Sequence, residues 1–180
     1  VREYLNGNVL SDLKKPVEAA EGEDIAIKIC DIISSAHSKG IVHGFLTPNN
    51  IFINEKGSVA ISDFCIESSF YSELDLRASL LMHDSCFLAP EIILGEDPTP
   101  ASDIYQIGLI LYYILTLELP FKEKKGLNCA VNTLFLEPNP ASFFNNKVPK
   151  YLDSIISKCL ENDPLNRFES AARIADSIKS

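Results

Sequence analysis

His43-Gly44-Phe45-Leu46-Thr47-Pro48-Asn49-Asn50-Ile51-Phe52-Ile53 is the stretch on which the fold turns. A proline turn leads into a short β-prone run, and Val59-Ala60-Ile61 supplies a second such run beyond Asn54-Glu55-Lys56-Gly57. That spacer has the composition of a hairpin turn. Asn50 precedes the first run and Asp63 closes the second. Both side chains are oxygen donors of the type Mg²⁺ prefers. Each also has a plain structural use, Asn50 in closing a turn and Asp63 in bonding backbone amides at a strand end.

Upstream, Ile41-Val42 enters the stretch from a segment with Ile25, Ile29, Ile32, Ile33 and Ala36 at helical spacing. Asp24 suits its N-cap and Gly40 its left-handed C-terminal position. Earlier still, Val1–Leu5 reads as extended, Asn6-Gly7-Asn8 as a turn, and Val9–Lys15 as a short amphipathic piece ended by Pro16. Downstream, residues 67–84 lose periodicity and are rich in Ser and charge, which predicts a long exposed loop. Ala89-Pro90-Glu91 opens a short apolar turn. From Asp103 the chain carries its most apolar helix, Ile104–Leu117, apolar on nearly all sides and so expected at the centre. Leu119-Pro120-Phe121 ends it, and amphipathic pieces follow at Leu127–Phe135, Tyr151–Leu160 and Glu169–Ile178. The predicted fold is mainly α, a helical bundle around a central apolar helix with short β-hairpins.

A chain of 180 residues supports one hydrophobic core and leaves no room for a second full domain. Its formal net charge of -9 argues against a nucleic-acid or anionic-membrane surface. The apolar run Ile107–Leu117 falls well short of the roughly 20 residues of a bilayer span. Five cysteines without a CxxC pair, Cys30, Cys65, Cys86, Cys129 and Cys159, read as reduced thiols of a cytosol-like compartment. The chain opens on Val1 with no signal segment and reads as a piece of a longer protein.

The order and spacing of these motifs resemble the large C-terminal lobe of the eukaryotic-type protein kinase fold. His43 through Asn50 resembles the catalytic-loop motif H-R-D-L-K-P-x-N, and Asp63-Phe64-Cys65 resembles D-F-G. Ala89-Pro90-Glu91 is A-P-E unaltered, Ser102-Asp103-Ile104-Tyr105 with Gly108 resembles the start of the central helix, and Asp163-Pro164 with Arg167-Phe168 resembles the late D-P-x-x-R-F signature. On this resemblance residues 1–5 are a remnant of the inter-lobe hinge and residues 6–180 the C-terminal lobe, with the small lobe lying upstream.

The resemblance implies a damaged phosphoryl-transfer site. The loop carboxylate that accepts the substrate proton is replaced by Phe45, and no Asp or Glu occurs between Asp31 and Glu55. A general base is worth roughly 10²- to 10⁴-fold in rate. Thr47 replaces the lysine that neutralises the transferring phosphoryl group, and Asp84 stands in place of a threonine that contacts both. Gly44 replaces the arginine that often receives an activation-loop phosphate, and Cys65 the D-F-G glycine. No catalytic residue is therefore expected.

The same resemblance places Glu3, Leu5, Leu10, Asn50, Phe52 and Asp63 at a nucleotide site and Asn50 and Asp63 on its metal. Arg2 falls at the back of the purine slot and Val9 where many kinases place a ribose-binding acid. His43, Phe64, Glu91, Asp103 and Arg167 are expected to be structural, with His43 and Phe64 packing internally, Asp103 holding the loop backbone and Glu91 paired with Arg167. Ser68, Ser69, Tyr71, Ser72, Ser79 and Ser85 read as solvated loop residues or phosphoacceptors; His37 and His83 have no metal-ligand spacing and receive no function. The expectation is a pseudokinase, a cytoplasmic or cytosol-facing regulatory module that binds a protein partner and docks its own N-terminal lobe, with ATP and Mg²⁺ held weakly or not at all. Two alternatives stay open: a slow or atypical serine/threonine kinase that uses another acid such as Asp84, and a nucleotide-free scaffold. No nucleic-acid partner and no membrane insertion by this segment are expected.

Overall fold

The computed structural model describes residues 7–64, 85–121 and 127–180. Helix α1, Ala19–His37, carries Ile25, Ala26, Ile29, Cys30 and Ile33 on one buried face. It starts before the expected Asp24 cap, because Ala19 and Ala20 favour helix and Gly22 allows a close approach to the central helix. A Cβ at Gly22 would lie 2.8 Å from Leu115 Cδ2. Gly40, at φ +72°, closes the C-terminal end, its amide returning to His37 O.

The loop that follows runs into a 3₁₀ turn, Pro48–Asn50, and the strands β2, Ile51–Ile53, and β3, Val59–Ile61. The expected hairpin is present. Gly57 N donates to Asn54 O at 2.9 Å, and Asn54 Oδ1 accepts from Lys56 N and Ser58 N. Strand β1, Asn8–Val9, adds to the free edge of β2 in antiparallel register, Val9 opposite Phe52, giving the order β1-β2-β3. The expected amphipathic piece Val9–Lys15 is thus replaced by an edge strand and a 3₁₀ turn, Leu10–Asp12. The cause is tertiary: β2 offers unpaired backbone groups that local sequence cannot reveal.

After the short helix α2, Pro90–Ile93, the central helix α3 spans Pro100–Thr116. Thr99 caps it in a reciprocal capping box with Ser102, with proline at its first position. Asp103 is therefore the fourth helical residue and not the first. Every residue from Ser102 to Thr116 except Tyr113 is buried, as the apolar run predicts. Helix α4, Leu127–Phe135, is followed by α5, Ala141–Phe144, which was not expected, and by α6, Lys150–Cys159, and α7, Ala171–Lys179.

α1 packs on α3 and α7, and α6 packs on α3 and α7. α3 and α6 approach closely at Gly108, where a Cβ would stand 2.5 Å from Cys159 Cβ. Cys30 and Cys159 are free and buried, and burial pushes the Cys30 thiol up to about 12. One cysteine departs from expectation. Buried Cys86 is disulfide-bonded, a tertiary contact that no local spacing announces. Among the described residues no helix is long and apolar enough to cross a membrane.

Candidate functional site

The site is built outward from Asp103, whose carboxylate is 0% exposed. Oδ1 accepts Gly44 N at 2.7 Å, and Oδ2 accepts His43 N at 2.9 Å and contacts His37 Nε2 at 2.7 Å. A buried carboxylate is tolerable only when hydrogen-bonded in this way, and its place in the first turn of α3 adds the favourable end of the helix dipole. The expected role of Asp103, holding the loop backbone, is what these bonds provide. One turn further along α3, Gln106 grips the same loop: Nε2 donates to Gly44 O at 2.7 Å and Oε1 accepts Leu46 N at 2.9 Å.

His43 is buried, its ring 4.7 Å from that of Phe64, so the expected internal packing is present. Nε2 donates to Ser62 O at 3.0 Å while Nδ1 accepts Phe45 N at 3.3 Å. These two bonds require the neutral Nε2–H tautomer. Burial pushes the imidazole below its ordinary value despite the opposing pull of Asp103, in keeping with that tautomer.

Phe45 is half-buried on the loop. Thr47, in place of the family's lysine, is buried and turned to local use: its backbone is extended ahead of Pro48, and its hydroxyl accepts Asn49 N at 3.2 Å as cap of the 3₁₀ turn. Asn50 closes the same turn. Its Nδ2 donates to Phe45 O at 2.8 Å and its Oδ1 accepts Thr47 N at 3.0 Å, leaving one lone pair on that oxygen.

Ser62 N donates to Asn50 O at 2.9 Å, extending the pairing of β2 with β3 and bringing Asn50 and the segment leading to Asp63 to one end of the hairpin. Asp63 is exposed, in the left-handed region at φ +65°, with Oδ2 accepting Ser62 Oγ at 2.7 Å. Two oxygen donors at a strand end fit a Mg²⁺ ion that takes its other ligands from phosphates and water. They do not make an all-protein cage, and among the described residues no group of three or more His, Cys, Asp or Glu could hold a metal. Leu10 is 2% exposed and belongs to the core, and Phe52 is half-buried. Glu3, Leu5, Arg2, Cys65, Asp84, His83 and the loop hydroxyls from Ser68 to Ser79 lie outside the described residues, as does the side chain of Ser85.

Behind the loop, Arg167 meets Glu91 in a two-pronged pair, Nη1 to Oε1 at 2.9 Å and Nη2 to Oε2 at 2.8 Å. The remaining guanidinium donors reach Glu161 O, Ala101 O and Asn162 O, so all five N–H groups are used. Ser102 Oγ adds a bond to Glu91 Oε1 at 2.6 Å. Burial acts to raise the Glu91 pKa, but the hydrogen bonds from Arg167 and Ser102 outweigh it and hold the carboxyl below its ordinary value.

Three residues of this frame escaped the sequence reading: His37, Gln106 and Ser102. His37 and Asp103 are 66 positions apart, with no local pattern to join them. Gln106 did carry a signal, as a polar side chain within a helix otherwise apolar on nearly every side.

Residues 1–177 match the family described as Protein kinase domain. The chain is 30% identical over 182 residues to a probable serine/threonine-protein kinase of Clostridium perfringens, and 31% identical over 183 residues to the serine/threonine-protein kinase PrkC of Bacillus subtilis. These alignments cover 99% and 100% of the chain but 27% and 28% of the two relatives. Among solved structures, the crystal structure of Rad53 residues 1–466 in complex with AMP-PNP superimposes with TM-score 0.76 at 26% identity, over 97% of this chain and 44% of that one. With the fold, the loop and the Glu91–Arg167 frame in place, the chain belongs to the protein kinase domain family.

Proposed function

We propose that this chain is the C-terminal lobe of a pseudokinase, a regulatory module that keeps a weak Mg²⁺-nucleotide site and has lost phosphoryl transfer. The observation that carries the reading is the state of the loop. Position 45 presents a phenyl ring that cannot accept a proton, and the Thr47 hydroxyl is spent capping a turn. Neither can perform the proton transfer or charge neutralisation that phosphoryl transfer needs. When bound, Mg²⁺ would neutralise nucleotide phosphate charge; Asn50 and Asp63 are the residues that would hold it, while Phe52 would face the base and Leu10, buried in the core, would not. The small lobe, a protein partner and a cytosol-facing location complete this reading.

The names of the relatives favour a second reading, an ATP-dependent serine/threonine kinase whose base comes from elsewhere. Phosphotransfer by the longest natural chain containing this segment separates the two. The pseudokinase reading expects none above background, with activity gained on joint Phe45→Asp and Thr47→Lys substitution. Robust Mg-ATP-dependent transfer by the wild type would falsify it. A thermal-shift titration with ATP, with and without Mg²⁺, tests the nucleotide site, since stabilisation follows RT ln(1 + [L]/Kd). An unmoved melting temperature at millimolar ATP would favour a nucleotide-free scaffold.

A further inference from the structure

Gln106 is 0% exposed, and both ends of its amide are committed to the loop on either side of residue 45. The peptide plane between Gly44 and Phe45 is held at both edges, its carbonyl by Gln106 Nε2 and its N–H by His43 Nδ1. The next plane, between Phe45 and Leu46, is held likewise, its N–H by Gln106 Oε1 and its carbonyl by Asn50 Nδ2. Gln106 thus bonds both planes, and the carbonyl of the second, together with Thr47 N, orients the Asn50 amide. Release of Gln106 would remove the bond at the N–H edge of the second plane and the bond at the carbonyl edge of the first, loosening the restraint on the Phe45 carbonyl that Asn50 Nδ2 meets.

Burial of an amide in an apolar helix costs free energy unless both its donor and its acceptor are used. Here both are used, and on the loop. We propose that Gln106 is the positioning residue of this cleft: through the peptide planes of residue 45 it sets the orientation of the Asn50 amide, and so the divalent-cation dependence of nucleotide binding. The cation part of this inference rests on the nucleotide site proposed above; the clamp itself does not.

The test compares wild type with Gln106→Met, which keeps the volume and removes both hydrogen bonds, in the longest natural chain containing the segment. Two readouts are taken: hydrogen exchange at the Phe45 and Leu46 amides, and the ATP-induced thermal shift with Mg²⁺ and with EDTA. Loss of one net hydrogen bond per plane is expected to speed exchange about tenfold. The Mg²⁺-dependent part of the ATP shift disappears while the part seen in EDTA stays. Unchanged exchange overturns the clamp. Faster exchange with an unchanged Mg²⁺-dependent shift reduces Gln106 to a structural role and overturns the proposal. No ATP shift in the wild type overturns the nucleotide site and the cation part together, and exchange then decides the clamp alone. If Gln106→Met does not fold, Gln106→Glu, which keeps the acceptor for Leu46 N but loses the donor to Gly44 O, is read by the same two measurements.

Discussion

At Gly44 the backbone stands at φ +82°, and a Cβ added there would lie 2.9 Å from Pro98 Cβ. The position that carries arginine in the family pattern is thus closed twice, by backbone conformation and by a neighbouring ring. Gly44→Ala is expected to cost about 2–4 kcal/mol, combining left-handed strain with overpacking. Chemical denaturation measures this, and a loss below about 0.5 kcal/mol would show that the loop relaxes away from Pro98. Restoring arginine alone should destabilise further and not recover phosphate-ordered activation. At Glu91 the balance runs the other way. Glu91→Ala leaves the Arg167 guanidinium buried with its charge unmatched, and unfolding experiments should find about 3–5 kcal/mol lost.

Among the elements, α3 sets the geometry of everything else, and its contact with α6 is the place to test it. Gly108→Ala would press a methyl against Cys159 Cβ, and a loss of about 1–3 kcal/mol is expected in equilibrium unfolding. An unchanged midpoint would mean that α6 can back away. Helix α3 was legible because eleven apolar-dominated positions leave no face for water, and α1 because its isoleucines recur at helical spacing. Their starts were less so: Thr99 and Pro100 hold the capping signal for α3, four and three residues ahead of Asp103. The four residues of α5 and the two of β1 are too short to show any period. In the site, the chemistry lost at Phe45 and Thr47 was plain from residue type alone. The use to which Thr47 is put instead, and the grip of His37 and Gln106, depend on partners brought together only by the fold.

For the whole molecule, acid is the informative stress. His43 is held neutral with its pKa below the ordinary 6.5, so it binds fewer protons folded than unfolded. Its contribution is present above about pH 6.5 and is lost as pH falls through the lower folded value. Glu91, lowered from 4.5, behaves in the same sense at more acid pH, its contribution fading as pH falls through its folded value. The melting temperature should therefore decline in two stages on acidification, the first absent in His43→Gln; a flat profile from pH 7 to 5 would exclude a buried neutral His43. The bonds that shape the loop also fix when it can form. Asp103 and Gln106 reach residues 59 to 62 positions away, whereas the turn at Asn54–Gly57 closes on itself. Distant closures come late in folding because chain entropy must be lost before they form. During refolding the 54–58 turn should gain amide protection early, and Gly44 and Leu46 only with α3. The cleft acquires its shape only once α3 has docked, and a nascent or partly unfolded molecule has helices and a hairpin before it has a site.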